Sequence, residues 1–213
     1  MTRWIALLTL LLSLSLPMSL AAAAAPAPLV AGEDYVLVDD GQPWQPLAGR
    51  IEVVEVFAYW CPHCAEFQPL VEAWARKLPH DVRFSYLPAA FDPGDSYARA
   101  YFAALDLHAL PRLHDALFDA VHATQLLARN ATVGEIAWFF GQQGVPAERA
   151  IRAMTSAATD RRLQQAHDFE LRSGVEGTPT LLINGRYRVQ GRDHEDLLRN
   201  ADALIAQLRA NKP

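Results

Sequence analysis

Cysteine is scarce in this chain: among 213 residues the only two are Cys61 and Cys64. A domain stapled by disulfides needs more pairs than that, so this class is excluded. Tetrahedral zinc needs four ligands, and no second cysteine pair exists to supply them. His80, His108, His114, His122, His167 and His194 show no ligand spacing with one another. Beyond the first 25 residues there is no long apolar run, so no later segment reads as a membrane span. Positive charge is also in short supply, with 19 Lys and Arg against 24 Asp and Glu. Without a basic patch interleaved with aromatics, nucleic acid is not expected as a partner. No internal repeat is found.

What is present begins with an amino-terminal segment unlike the rest. Arg3 is followed by an apolar stretch from Trp4 to Leu16, then Pro17 and the alanine tract Ala21 to Ala25. That is the order of regions in a secretory signal, with A-x-A cleavage options at its end. Ser13, Ser15 and Pro17 interrupt the apolar core, which favours cleavage of residues 1–25 over anchoring. No cysteine lies near the cleavage region, so a lipid anchor is not expected. Removal takes away Arg3 as the one charged residue, leaving about 188 residues with 18 basic against 24 acidic side chains, net −6. That length suffices for one well-filled core.

An exported chain that keeps one cysteine pair, spaced C-x-x-C, is using it for chemistry rather than as a staple. So short a loop restricts the unfolded chain by only about 2 kcal/mol. The pair follows the β-branched and aromatic run 51–57 and opens a segment with helical spacing, in which Phe67, Leu70, Val71, Trp74 and Leu78 recur. Pro62 suits the first helical position. A thiol at a helix N-cap faces unpaired backbone N–H groups and the positive end of the helix dipole, both of which favour the thiolate. The thiolate is the form that attacks disulfides. His63 can add a donor or a positive charge. Cys64, one turn in and more buried, then resolves the mixed disulfide.

The remaining elements follow from pattern. Residues 35–38 read as a short first strand, 41–49 as a loop, and 51–57 as a central strand with both faces covered, as in a parallel-type sheet. Ile51, Val53, Glu55 and Phe57 share one face; Val54, Val56 and Ala58 share the other. Pro69 predicts a kink in the first helix. Residues 82–87 read as a strand. Helices are expected over 96–107, 111–123, 132–143, 146–154 and 160–172, with Thr132 and Glu135 fitting a capping box. Strand character returns at 180–183. Asn184-Gly185 signals a type I′ hairpin, 186–190 pairs back, and Asp193 caps a last helix to about 209. The order is that of an α/β, thioredoxin-like fold with an inserted helical domain. Its parts are 30–90 with 173–211 for the thioredoxin-like domain and 91–172 for the insertion.

Two further positions draw notice. Glu55 places an acid on an apolar strand face six residues before Cys61, where a raised pKa would let it shuttle a proton. The same pattern also suits a partly exposed glutamate with no role. Glu52, on the opposite face, reads as structural or solvated. Thr178-Pro179 stands at the start of a strand, where proline is tolerated.

The segments Glu55-Val-Phe-Ala-Tyr-Trp-Cys61-Pro62-His63-Cys64 and Gly177-Thr178-Pro179-Thr180, leading to Ile183-Asn184-Gly185-Arg186-Tyr187, resemble the DsbA family of exported thiol–disulfide oxidoreductases. The resemblance spans about residues 30–210, though the helical block matches only in character. It implies a redox-active Cys61–Cys64 disulfide with Cys61 as nucleophile, Glu55 as the family's buried acid, and Thr178 and Pro179 flanking a cis bond against the C-x-x-C. Arg83 is a candidate to neutralise that acid. It further implies a periplasmic home, reduced unfolded exported polypeptides as substrates, reoxidation by a quinone-linked membrane protein of the DsbB type, and neither cofactor nor metal. A disulfide isomerase or reductase of the thioredoxin superfamily is the nearest rival, and a metal-carrying C-x-x-C module a more distant one. Isomerases of this kind usually carry a dimerisation domain, for which there is no room before Tyr35, which counts against that rival; a monomer is expected.

Overall fold

The computed structural model describes residues 28–211; the expected signal segment, 1–25, lies outside them. Five strands form one sheet in the order β1-β5-β4-β2-β3, with β1 Tyr35–Leu37, β2 Ile51–Phe57, β3 Val82–Pro88, β4 Thr180–Ile183 and β5 Tyr187–Val189. All seven residues of β2 are buried, which is why its sequence lacks the alternation of a half-exposed strand. The sheet is mixed rather than parallel. β2 pairs with β3 in parallel, but with β4 antiparallel, and β4–β5 and β5–β1 are antiparallel too. The reversal is made at Asn184-Gly185, both in the left-handed region at φ 52° and 65°. At Gly185 a side chain would also collide with the chain, since a Cβ there would lie 1.9 Å from the Gln42 carbonyl oxygen.

Among the described residues seven helices accompany the sheet: α1 Pro62–Ala75, α2 Ser96–Asp106, α3 Leu110–Phe118, α4 Val133–Gln142, α5 Ala147–Met154, α6 Ala157–Arg172 and α7 His194–Ala210. The helix expected over 111–123 ends at Phe118, and Asp119–Ala123 continues as a π-helical turn. Helix α6 begins earlier than expected because the Ser156 side chain accepts from the Thr159 amide and caps it. The Thr132–Glu135 capping box is complete, and Asp193 accepts from the Asp196 amide to start α7. Helix α1 continues through Pro69.

The core has two lobes. One joins Ile51 and Val53 of β2 to Phe67, Val71 and Trp74 of α1 and Leu204 of α7. The other joins Val54 and Val56 to Tyr97, Phe102, Leu113, Ile136 and Phe169 of the helical insertion. Burying one such side chain is worth about 1.5–3 kcal/mol, so the insertion and the sheet stabilise each other. Phe57 corrects the strand pattern: it belongs to the second lobe, not to the Val53 face. Tyr59, Tyr86, Tyr101, His114 and Phe118 surround it with ring centroids 5.0 to 5.8 Å away. These aromatics draw in the last residue of the strand. In the β2–β4 register Val56 stands opposite Thr180, which brings the exit of β2 beside the loop that enters β4.

Candidate redox site

Cys61 occupies the N-cap of α1 in an extended conformation, with Pro62 in the first turn of the helix. Cys64 follows one turn later. Both thiols are free, Cys61 at 5% and Cys64 at 0% exposure. The Cys61 Sγ donates to the Thr178 carbonyl at 3.3 Å, across the cis Thr178–Pro179 peptide. The Ala58 amide donates to the Cys64 Sγ at 3.5 Å.

The two sulfurs are driven apart in acidity. Cys61 is lowered to about 5, first by a hydrogen bond from the Cys64 thiol, with Thr178 and the backbone amides of Cys64 and His63 adding to it against the cost of burial. Cys64 is pushed strongly upward, chiefly by burial. At neutral pH the pair therefore holds one thiolate and one thiol. What His63 brings to the sulfur is its backbone N–H; its imidazole is exposed and lies 3.7 Å from Glu66.

One side of this helix start opens into a groove of about 820 Å³, lined by His63, Thr178, Pro179, Gln190, Asp193 and Leu197 among others. A nucleophilic sulfur, a buried partner thiol and a carbonyl at the edge of a groove suit dithiol–disulfide exchange on an extended chain.

Comparisons agree with that chemistry. Residues 48–203 match the family model described as Thioredoxin. The thiol:disulfide interchange protein DsbA of Pseudomonas aeruginosa is 36% identical over 185 residues, covering 84% of this chain and 86% of the relative. That of Azotobacter vinelandii is 35% identical, covering 76% and 77%. The crystal structure of the oxidoreductase DsbA from Xylella fastidiosa superposes with a TM-score of 0.83 at 43% identity, covering 85% of this chain and 98% of that one. This chain belongs to the DsbA family.

As a DsbA-family protein it is a thiol:disulfide oxidoreductase with a thioredoxin-like fold. Its two buried acids on β2 differ sharply. Glu52 accepts from the Trp44 and Gln45 amides at 2.7 and 2.9 Å and from Arg83 at 2.7 Å, so its charge is fully met. Arg83 thus neutralises Glu52 and not Glu55, correcting the placement suggested by resemblance. Glu55 is 1% exposed, its Oε2 has no hydrogen-bond partner, and burial raises its pKa well above the usual carboxylate range. Such an acid costs stability above its ordinary titration range, since the unfolded chain ionises it freely. Glu55→Leu is expected to stabilise the protein at pH 7 by about 1–3 kcal/mol, the penalty of a buried unpaired group. The gain should shrink as pH falls below about 4, where the unfolded carboxyl is neutral too. Denaturant unfolding of both proteins at pH 7 and pH 3.5 checks this; a loss of stability at both would contradict it.

Sequence reasoning passed over two buried titratable residues of the helical insertion. Glu170 is buried, accepts the Ala90 amide with both oxygens at 3.0 and 3.1 Å, and is raised to about 7 by burial. His114, also buried and lowered to about 4 by desolvation, sits in the aromatic cage of Phe57. A signal for it existed: His114, Phe118 and His122 recur every fourth residue, and their rings are neighbours, edge-to-face in the first pair and tilted in the second.

Proposed function

We propose that this protein is a periplasmic dithiol oxidase that installs disulfides in reduced, unfolded polypeptides after export. In its oxidised form a substrate thiolate attacks the Cys61 sulfur, the Cys61–Cys64 bond breaks, and Cys64 leaves and takes up a proton. A second substrate thiolate then attacks the substrate sulfur of the mixed disulfide and expels Cys61 as a thiolate. The substrate gains a disulfide, and its two electrons remain on the Cys61–Cys64 dithiol. The reading is carried by one observation: Cys61 caps the start of α1 against Thr178, Cys64 and the His63 and Cys64 amides, surroundings that lower its thiol to about 5. A sulfur so stable as an anion is a good leaving group, and stabilising the reduced state makes the disulfide oxidising.

The supporting residues take these roles. Pro62 fixes the entry into α1, and His63 supplies its backbone amide to the Cys61 sulfur. Glu55, held neutral by burial, is the proton source for the Cys64 side of the pair. Once Cys61 is ionised it no longer donates to the Thr178 carbonyl, which becomes free to accept an N–H from an extended substrate strand beside Pro179. A quinone-linked membrane protein of the DsbB type returns the dithiol to the disulfide. The working form is a monomer without residues 1–25, with 30–90 and 173–211 as the redox domain and 91–172 as the inserted domain.

The test is to mix the oxidised protein with a reduced, unfolded polypeptide and to measure its potential against glutathione. Stoichiometric transfer of the disulfide with an oxidising potential is expected. A strongly reducing potential would identify a reductase instead. Stoichiometric metal binding without disulfide transfer would identify a metal carrier.

A further inference from the structure

Between β2 and α1 the chain makes a turn at residues 58–61, and both ends of this turn touch the dithiol. The Ala58 amide meets the Cys64 sulfur at 3.5 Å, and the Ala58 carbonyl accepts the Cys61 amide at 3.1 Å. The two corner residues, Tyr59 and Trp60, are gripped by the helical insertion. The Tyr59 hydroxyl donates to His114 Nδ1 at 2.8 Å. The Tyr59 carbonyl accepts from His122 Nε2 at 2.7 Å. The Trp60 indole N–H donates to Asp95 Oδ2 at 2.7 Å, while Asp95 Oδ1 accepts the Tyr97 and Ala98 amides and so caps α2.

These three partners lie on three elements: α3, the π-helical turn and the N-cap of α2. The π-helical turn places His122 against the turn, and single π-helical turns recur at functional sites. The roles around His114 are mutually consistent. Its Nε2 donates to the Gln68 Oε1 at 3.2 Å, which leaves Nδ1 to accept from Tyr59. Gln68 belongs to α1, one turn past Cys64, and donates onward to the Tyr86 hydroxyl and Asp115 at 3.2 and 3.0 Å. The chain of contacts therefore leaves the turn, passes through the insertion and returns to the helix that carries the cysteines. Tyr59 is 1% exposed, so water does not substitute for a partner lost there.

We propose that His114, His122 and Asp95 are positioning residues for the dithiol: by holding Tyr59 and Trp60 they fix the turn that sets each sulfur against its hydrogen-bond donors, so that the helical insertion, and not α1 alone, sets the reactivity of Cys61. The inference rests on Cys61 acting as a thiolate, as proposed above. Its physical basis is that hydrogen bonds weaken steeply with small changes of distance and angle, and the Cys61 sulfur depends on several of them at once.

Three variants test it: His122→Leu, which removes the donor; His122→Gln, which keeps one; and Trp60→Phe, which removes the indole N–H from a partly exposed site. Cys61 ionisation is read from the pH dependence of alkylation, alongside redox potential and stability. His122→Leu is expected to raise the Cys61 midpoint by about 0.5–1 pH unit, the share of one hydrogen bond, and to make the disulfide less oxidising. His122→Gln should restore most of both, and Trp60→Phe should move them the same way by less. Variants that lose stability while keeping the wild-type midpoint and potential would overturn the inference and leave the thiolate reading intact. A wild-type midpoint like that of free cysteine would instead remove the reading on which the inference stands. If His122→Leu does not fold, Trp60→Phe decides by the same readout.

Discussion

Cys61→Ser is expected to abolish disulfide transfer to a reduced polypeptide, by about 10³-fold or more, because the reacting atom itself is removed. Cys64→Ser is expected to fail differently. Its Cys61 remains at the N-cap of α1, next to the Thr178 carbonyl and the groove beside Pro179. It still forms a mixed disulfide, but no second thiol is available inside the protein to release it. Covalent complexes should therefore accumulate and disappear on reduction. Non-reducing electrophoresis of both variants after incubation with a disulfide-containing polypeptide gives the answer. The asymmetry follows from position: Cys64 is wholly enclosed, while Cys61 caps the helix beside His63 and Thr178, which line the groove. Equal trapping by the two variants would contradict the assigned roles.

The second large effect is on stability and its dependence on pH. Cys61 titrates near 5 in the folded, reduced protein, and near 8.5 in an unfolded chain. A depressed folded-state pKa contributes stability that is fully present above the unfolded value and is lost as pH falls through the folded value. The oxidised protein has no thiol to ionise and lacks this contribution. Between pH 4 and pH 8 the reduced form should therefore gain about 2 kcal/mol on the oxidised form, after allowance for the solvent that reaches the sulfur. The four-residue disulfide loop offsets this by a similar amount, about 2 kcal/mol in favour of the oxidised form. The two contributions nearly cancel by pH 8, so the expected result is the slope: the reduced form gains on the oxidised form steadily as pH rises from 4 to 8. Denaturant curves of both redox forms across this range test it. A difference that stays flat with pH would contradict an acidic Cys61.

Much of this molecule is legible along its sequence, for local reasons. The run Ile51–Phe57, the Asn184-Gly185 turn, the Thr132–Glu135 capping box and the Asp193 cap each depend on neighbours within a few residues, and each forms where the pattern places it. The C-x-x-C and the Thr-Pro that faces it are equally plain. What the sequence hides is set by contacts across long separations. Arg83 answers Glu52 because the loop at Trp44 and Gln45 closes over that carboxylate from the other side. Nothing near Arg83 in the chain specifies this. The break from α3 into a π-helical turn is likewise invisible to a periodicity that continues through it. Its product, His122 on the Tyr59 carbonyl, joins residues 63 positions apart. Phe57 breaks its strand's alternation because five aromatic and histidine rings, four of them far along the chain, close around it.

The contrast between Glu52 and Glu55 shows why burial alone does not assign a role. Both carboxyls are enclosed, but one meets three donors and the other leaves an oxygen unpaired. A paired buried charge needs no further role, whereas an unpaired buried acid is a candidate for proton transfer.

The most direct measurement of the central claim is the rate of alkylation of Cys61 as a function of pH in the reduced protein, with Cys64 replaced by alanine in a parallel sample to separate the two thiols. In the native pair the reaction should follow a single ionisation with its midpoint at about 5. In the Cys64→Ala sample the midpoint should rise, because the Cys64 hydrogen bond is the largest cause of the acidity. A native midpoint near 8.5, that of an unperturbed cysteine, would contradict the account.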